Sequence, residues 1–304
     1  MRAVRFHEYG GPEVLRVEET DRPVPGAGEV LVRVAGTSFN PVDATIRSGR
    51  LQQVFPVTLP HTPGIDVAGT VAEVGAGVTG PAAGDAVVGF LPMGASGAAA
   101  EYLVAPAAVL AAAPGAIPLA DAAALPAVGL TALQAVTEHA AVRAGQRIMV
   151  HGAGGAVGGY AVQLAVEAGA TVVATAGPAN AERVRGYGAE VVGRDPAAAT
   201  GEFDAVLNFA PVPPAEMAAL AALVRPGGLL LSTATPGPQD DPRGVRSVPV
   251  YVRSDAEQLA ALVKRVDAGA LRVHVAQRVP LERVAEVHAA EEAGTLPGKT
   301  VITV

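Results

Sequence analysis

Up to about residue 113, the chain consists of short stretches in which apolar and polar residues alternate, separated by glycine and proline. Alternation with a period of two is typical of β-strands that bury one face, and Gly and Pro mark the turns between them. This pattern predicts a compact, β-rich, barrel-like domain. The clearest predicted strands are residues 2–6, 14–18, 29–36, 67–74 and 85–89.

From about residue 146 the pattern changes to short apolar strands that alternate with helical segments. Such alternation predicts an α/β domain of the Rossmann type, with a doubly wound parallel sheet and helices on both of its faces. The predicted strands are residues 147–151, 171–175, 191–192, 205–208 and 228–232, and the first predicted helix is 155–168.

The C-terminal part of the chain ends in a predicted helix, 281–292, and a predicted strand, 299–304. Because no helix follows this strand, we expect it to return to the first domain and to make that domain discontinuous. The predicted domains are therefore residues 1–115 with 273–304, and residues 116–272.

Composition narrows the classes of protein that the chain can belong to. Half of the 304 residues are apolar and 17% are charged, which predicts a folded chain with a sizeable core. A net charge of -7 without basic clusters argues against nucleic acid as a partner. Cysteine is absent, which excludes disulfides, thiolate nucleophiles and Cys-rich zinc sites. The N-terminus lacks a signal-peptide core and prolines interrupt the apolar stretch 102–120, so we expect a cytoplasmic protein without a membrane span.

The strongest local signal is a glycine-rich turn between a predicted strand and a predicted helix, with the spacing G-x-G-G-x-x-G. One glycine allows the sharp turn, a second lets the backbone approach a pyrophosphate, and a third lets the helix pack closely on the strand. The free N–H groups of the helix then face the phosphates. This context predicts a dinucleotide site, although an ordinary Gly-rich turn is the alternative. Its predicted residues are Gly152, Ala153, Gly154, Gly155, Ala156, Val157 and Gly158.

The end of the second strand of this domain indicates which dinucleotide binds. An NAD enzyme usually has Asp or Glu there, on the ribose 2′-hydroxyl. Here Thr175, Ala176 and Gly177 occupy the position, which favours NADP(H). The candidate cations for its 2′-phosphate are Arg183, Arg185 and Arg194, with Arg194 best placed, unless they form a solvated surface. Loops after the later strands add the predicted cofactor residues Asn208, Phe209, Ala210 and Thr233.

Five segments together resemble the quinone oxidoreductase branch of the medium-chain dehydrogenase/reductase superfamily. They are NPVDATIRSG from residue 40, PGIDVAGTV from 63, GLTALQAV from 129, HGAGGAVG from 151 and the terminal GKTVITV. The resemblance implies a GroES-like β-rich catalytic domain beside the Rossmann domain, with a cleft between them. It also implies NADPH as hydride donor and a homodimer.

The resemblance also bears on metal. Zinc alcohol dehydrogenases of this superfamily bind their catalytic metal with a Cys and a G-H-E motif. Asn40 stands where that Cys would be, and Gly-Ile-Asp at 64–66 replaces G-H-E. An amide, an isoleucine and a carboxylate do not make a tetrahedral N/S site, so we expect no metal.

The resemblance brings the polar residues Asn40, Arg47 and Thr131, with His61 as a weaker candidate, to the catalytic cleft. There they could stabilise the negative charge that hydride transfer leaves on the substrate oxygen. Structural roles are the alternatives. Asn40 fits an N-cap with Asp43 at N3, and Asp43 with Arg47 fits an i, i+4 ion pair. Thr131 fits a capping or packing hydroxyl. The predicted apolar substrate walls, which could equally be core residues, are Phe39, Leu51, Phe55, Phe90 and Met93.

Three functions fit these observations. The first is an NADPH-dependent reductase of a small-molecule quinone or α,β-unsaturated carbonyl. The second is an enoyl reductase of a biosynthetic pathway, which would use the same residues. The third, from another class, is an NADP(H)-binding sensor or structural protein without turnover, since no residue is plainly a general acid.

Overall fold

The protein is described by a computed structural model that covers residues 1–304. The chain forms two compact units, Met1–Ala127 with Ser254–Val304, and Val128–Arg253. The strands are β1 (Arg2–Arg5), β2 (Arg16–Glu19), β3 (Glu29–Ser38), β4 (Asp66–Val74), β5 (Ala86–Phe90), β6 (Tyr102–Pro106), β7 (Leu110–Ala112), β8 (Arg147–His151), β9 (Thr171–Ala174), β10 (Glu190–Val191), β11 (Phe203–Asn208), β12 (Val224–Ser232), β13 (Arg246–Pro249), β14 (Gln277–Pro280) and β15 (Thr300–Thr303). The helices are α1 (Pro41–Arg47), α2 (Leu119–Ala122), α3 (Pro126–Gln134), α4 (Ala156–Glu167), α5 (Pro178–Arg185), α6 (Pro214–Ala222), α7 (Ala256–Asp267) and α8 (Val284–Glu292).

The first unit is built on a seven-stranded sheet in the order β14-β15-β3-β4-β5-β7, with β6 also on β3. The long strand β3 holds it together, because its first half pairs with β4 and β6 and its end pairs antiparallel with β15. The last strand of the chain therefore lies in this unit, as expected. Alternate residues of β3 and β4, such as Val30, Val32 and Val67, point into an apolar core.

The second unit has six strands in the order β10-β9-β8-β11-β12-β13, all parallel. This is the Rossmann order 3-2-1-4-5-6, and it confirms the predicted doubly wound sheet. The strand order reverses between β8 and β11, so the crevice at their carboxyl ends is where such a sheet binds its ligand. Met149, Phe203 and Leu230 lie in the core of this unit.

The unit boundaries differ from those predicted in two segments, 116–127 and 254–272, both of which belong to the first unit. The physical reason is tertiary contact that no local pattern reports. Helix α7 packs on β7, and the Ala116 N–H donates to Asp267 Oδ1 at 3.0 Å. Ser254 Oγ also donates to the Phe90 carbonyl oxygen at 2.8 Å.

The predicted strands lie within a few residues of the observed ones, and four short strands were not predicted: β6, β7, β13 and β14. Two of these lie in the apolar stretch 102–120, which forms strands and a short helix rather than a membrane span. One other helical stretch, Leu119–His139, is long and apolar enough to cross a membrane. Its most apolar window is 89% buried inside the protein, as expected for a core helix.

Candidate dinucleotide site

The glycine-rich turn runs from the end of β8 to the start of α4. Gly152 has a φ of +79°, which favours glycine, and a Cβ there would lie 3.1 Å from the Ala210 nitrogen. A Cβ on Gly158 would lie 2.4 Å from the Gly152 carbonyl oxygen, so α4 could not approach the turn this closely with any other residue. These two positions show the sharp turn and the close helix packing expected of a dinucleotide-binding turn.

The predicted residues of the turn divide into two groups. Gly152 and Ala153 face inward, because their N–H groups donate to the Thr175 side-chain and main-chain oxygens, both at 3.0 Å. Ala156, Val157 and Gly158 begin α4, and the first N–H groups of a helix have no acceptor within it. These N–H groups and the positive end of the helix dipole suit a phosphate.

Four buried polar residues end the neighbouring strands of this sheet, and we call them the carboxyl-edge row. The pairing register places His151 beside Asn208, and Asn208 beside Ser232, while Thr175 follows β9 directly. All four residues are at most 6% exposed. Their side chains bond to one another, with 2.9 Å from Thr175 Oγ1 to His151 Nδ1 and 3.2 Å from Asn208 Nδ2 to Ser232 Oγ.

The carboxyl-edge row also holds the loops that follow the strands. Asn208 closes its own loop, since its Oδ1 accepts the Ala210 N–H at 3.1 Å and its Nδ2 donates to the Ala210 carbonyl at 3.0 Å. Sequence reasoning included Thr175 and Asn208 but missed His151 and Ser232. A polar residue at the end of each buried strand is the signal that would have found them.

The three candidate arginines occupy different environments. Arg183 is bound to the turn itself, because its Nη2 donates to the Gly154 carbonyl and to Asn180 Oδ1, both at 2.8 Å. Arg185 is exposed on α5. Arg194 lies against Gly177 at the end of the second strand, where an added Cβ would be 2.6 Å from its Nε. A guanidinium therefore occupies the position at which NAD enzymes carry a carboxylate.

In the first unit, a buried charged cluster surrounds the predicted catalytic residue Asn40. We call it the Asp66–Lys299 cluster, and it comprises Ser38, Asn40, Asp43, Asp66 and Lys299, each at most 6% exposed. Lys299 Nζ lies 3.3 Å from Asp66 Oδ2 and donates to Asn40 Oδ1 at 2.8 Å. Asp66 Oδ2 also accepts from Ser38 Oγ at 2.6 Å.

Burial dominates the electrostatics of this cluster. Burial raises the pKa of Asp43 to about 7. The hydrogen bonds from the main-chain N–H groups of Asn40 and Gly64 oppose this shift, because they favour the charged carboxylate. Burial lowers the pKa of the Lys299 ammonium, and the negative charge of Asp66 opposes that shift. The cluster therefore depends on its internal partners to keep charge in a place that water does not reach.

The side-chain contacts of Asn40 favour its structural role. Asn40 precedes α1 as predicted, and its main-chain N–H donates to Asp43 Oδ2 at 2.9 Å. Its amide Nδ2 donates to Asp66 Oδ2 at 2.8 Å and to the Ser38 carbonyl at 3.3 Å. With Lys299 on its Oδ1, every hydrogen-bonding position of the amide except one lone pair is engaged within the protein.

The predicted ion pair between Asp43 and Arg47 does not form. Arg47 is fully buried and turns away toward α8, where it pairs with the Glu292 carboxylate and its Nη1 lies 3.2 Å from His288 Nδ1. Its Nε donates to the Gly10 carbonyl at 3.1 Å. Tertiary partners outside the reach of local spacing therefore replace the i, i+4 partner.

The residues at the metal positions of zinc relatives do not form a zinc site. Asn40 and Asp66 are joined by the Lys299 ammonium, and Ile65 has no donor atom. No group of three or more His, Asp or Glu side chains is arranged to hold a metal ion. Asn40 and Asp66 are therefore engaged with an ammonium and are not arranged as ligands of a metal ion.

The predicted substrate walls lie in different environments. Phe39 is a core residue, edge-to-face with His288 at 4.8 Å between centroids, and Phe90 is also buried. Leu51, Phe55 and Met93 are half-buried. Met93 and His61 line the same cavity of about 10 Å³. Burial lowers the pKa of His61 to about 4. Thr131 is buried on α3 in the second unit, and Thr233 follows β12.

Two families of known proteins match this chain. Residues 26–115 match the alcohol dehydrogenase GroES-like domain, and residues 181–302 match the zinc-binding dehydrogenase family. A chloroplast envelope quinone oxidoreductase homolog of Arabidopsis thaliana is 34% identical over 99% of this chain and 98% of that protein. The quinone oxidoreductase of Lama guanicoe is 36% identical, but the match covers only 60% of this chain and 55% of that protein.

Solved structures agree in fold and differ in cofactor. An NAD-dependent alcohol dehydrogenase superposes with a TM-score of 0.89 at 30% identity, over 100% of both chains. A mycobacterial protein solved in complex with NADPH superposes with a TM-score of 0.84 at 29% identity, again over 100% of both chains. The fold is therefore common to proteins that use either dinucleotide, and only the residues of the site distinguish between them.

Proposed function

Since this chain belongs to the quinone oxidoreductase branch of the medium-chain dehydrogenase/reductase superfamily, we propose that it is an NADPH-dependent reductase of quinones or α,β-unsaturated carbonyls. Membership of the family supports the oxidoreductase activity. That activity, the cofactor and the class of acceptor together are the proposal. A homodimer and a cytoplasmic location stay predictions.

The position of Arg194 carries the NADPH part of the proposal. Its guanidinium lies on Gly177, and the residues from Thr175 to Gly177 include no carboxylate. A ribose 2′-phosphate carries negative charge, so a carboxylate there would repel it and a guanidinium would pair with it bidentately. Arg194 is exposed before ligand binds, so the charge is available to a ligand.

Other residues have proposed roles in binding the dinucleotide and the acceptor. NADPH would supply the hydride when bound. The N–H groups at the start of α4 would hold the pyrophosphate, and Arg194 would hold the 2′-phosphate. Reduction places negative charge on the acceptor oxygen, which a hydrogen-bond donor would stabilise, and the assignment of Thr131 to that role stays a prediction. Half-buried Leu51, Phe55 and Met93 are the proposed walls for an apolar acceptor.

The cofactor proposal is tested by titrating NADPH and NADH against the parent protein and Arg194→Ala. Loss of a charged hydrogen-bond pair weakens NADPH by about 10–100-fold and leaves NADH within about twofold. Arg185→Ala, an exposed arginine on α5, is the matched control and retains the preference. Gly177→Asp is the converse variant, because its side chain displaces Arg194 and adds the missing carboxylate. Equal affinity of the parent for both dinucleotides contradicts the proposal.

The acceptor is tested by following NADPH oxidation with a panel of quinones, enones and enoyl thioesters. Turnover with quinones or small enones supports the proposal. Turnover confined to enoyl thioesters identifies a biosynthetic enoyl reductase. Tight binding of NADPH without turnover on any acceptor indicates a sensor or a structural protein.

A further inference from the structure

We propose that Thr175 and His151 are positioning residues of the dinucleotide site, and that Glu216 sets the ring tautomer of His151. This inference rests on the dinucleotide binding proposed above, and it adds a chain of three side chains whose proposed role is to hold the turn in shape. The chain runs from α6, through the end of β8, to the first residue of the glycine-rich turn.

Every polar atom of Thr175 is bonded either to β8 or to the glycine-rich turn. Its N–H donates to the Val150 carbonyl, and its carbonyl accepts the Ala153 N–H, both at 3.0 Å. Its Oγ1 accepts the Gly152 N–H at 3.0 Å and lies 2.9 Å from His151 Nδ1. Since Thr175 is 3% exposed, its hydroxyl serves the turn from within the protein.

The hydrogen of the Thr175 hydroxyl is directed by the His151 ring. The Glu216 carboxylate Oε1 lies 3.5 Å from His151 Nε2, which favours the tautomer with its proton on Nε2. Nδ1 then carries a lone pair and accepts the hydroxyl hydrogen, which leaves the lone pairs of Oγ1 for the Gly152 N–H. Burial lowers the pKa of His151 and so keeps the ring in this neutral form, although Glu216 opposes the shift.

The consequence for binding is pre-organisation. Gly152 takes the left-handed conformation, with φ +79°, and its N–H has no other acceptor once Thr175 Oγ1 is removed. A turn that samples other shapes must be ordered again when the pyrophosphate binds, which weakens binding without removing any ligand contact. Because the pyrophosphate is common to both dinucleotides, the loss is the same for NADPH and NADH.

The test compares Thr175→Val, which keeps the shape and removes the hydroxyl, with Thr175→Ser, which keeps the hydroxyl. We expect Thr175→Val to weaken NADPH and NADH alike, by about tenfold, the value of one hydrogen bond. Thr175→Ser stays within about threefold of the parent. A loss confined to NADPH, or an equal loss in both variants, overturns the inference. Failure of the cofactor proposal would give a different result, because the parent protein itself would then bind NADPH and NADH with equal affinity.

Glu216→Ala tests the outer end of the chain, and it remains informative if Thr175→Val does not fold. We expect it to weaken both dinucleotides by about threefold, and nitrogen NMR shifts of His151 to show mixed ring tautomers. In the double variant Thr175→Val with Glu216→Ala, the losses of affinity are less than additive, because Glu216 acts on the turn only through His151 and the Thr175 hydroxyl. Glu182→Ala, an exposed residue on α5, is the matched control. Unchanged tautomer populations or fully additive losses overturn the role of Glu216.

Discussion

The two units of this protein bury polar groups in opposite ways. The Asp66–Lys299 cluster of the first unit is charged, and its members bond mainly to one another. The carboxyl-edge row of the second unit is made of neutral residues, and its members bond to the loops that follow the strands. The first arrangement fixes an interior, whereas the second holds the loops of the proposed dinucleotide site.

This difference affects how the polar residues of the sequence motifs are interpreted. A buried amide such as Asn40 has its donors used before any substrate arrives. By contrast, the residues of the carboxyl-edge row satisfy the inward N–H groups of the turn and leave those at the start of α4 for a phosphate. Burial alone therefore does not distinguish the two sets of residues. They differ in whether their hydrogen bonds stay within the cluster or reach the loops after the strands.

The largest expected effect comes from breaking the charge balance of the Asp66–Lys299 cluster. Lys299→Met leaves Asp66 charged and without its cation, which costs about 3–5 kcal/mol of unfolding free energy. The double variant Lys299→Met with Asp66→Asn recovers part of that loss, because no unpaired charge remains. Urea unfolding of the three proteins measures both effects. A double variant less stable than Lys299→Met contradicts the charge-balance account.

A smaller effect distinguishes the structural and catalytic roles of Asn40. Asn40→Ala removes an acceptor from Lys299 and a donor from Asp66, and lowers the unfolding free energy by about 1–3 kcal/mol. Since both amide hydrogens are engaged in the cluster, kcat per folded molecule falls less than about tenfold. Urea unfolding and steady-state kinetics on the same preparation check this. Unchanged stability with a kcat loss above about a hundredfold assigns Asn40 to catalysis instead.

The third effect concerns the acid stability of the first unit, and it is small when taken over a single pH unit. Burial, with the nearby positive charge of Arg47, lowers the pKa of His288 from 6.5 to about 3. The unfolded chain therefore binds one more proton than the folded one between these values, so stability is full above pH 6.5 and falls as pH drops toward 3. In His288→Asn the pH slope of unfolding free energy around pH 5 decreases by about 1.4 kcal/mol per pH unit. An unchanged slope would show that His288 does not titrate in this way.

The second unit was well predicted from sequence because its signals are local. The apolar strand at Arg147–His151, the glycines after it and the next strand at Thr171–Ala174 all lie within one βαβ stretch of chain. The missing carboxylate at Gly177 could also be read directly. The guanidinium on that glycine needed one further inference, since Arg194 lies at the end of a third strand.

The first unit was predicted in outline but not in its polar interior. Lys299 reaches Asn40 across 259 residues of sequence, and Arg47 reaches Glu292 across 245. No spacing rule reports such partners, so Asp43 and Arg47 were paired with each other because only their local separation was visible. Short strands such as β13 and β14 were missed because four residues each give too little periodicity.

The arrangement of β15 has a consequence for the order in which the protein takes shape during synthesis. The second unit is one continuous segment, Val128–Arg253, so all of its residues are present once that segment has left the ribosome. Residues 1–127 of the first unit are made before this segment, yet their sheet waits for β15 and Asp66 waits for the cation of Lys299. Of the two units, the one that is begun first is therefore completed last.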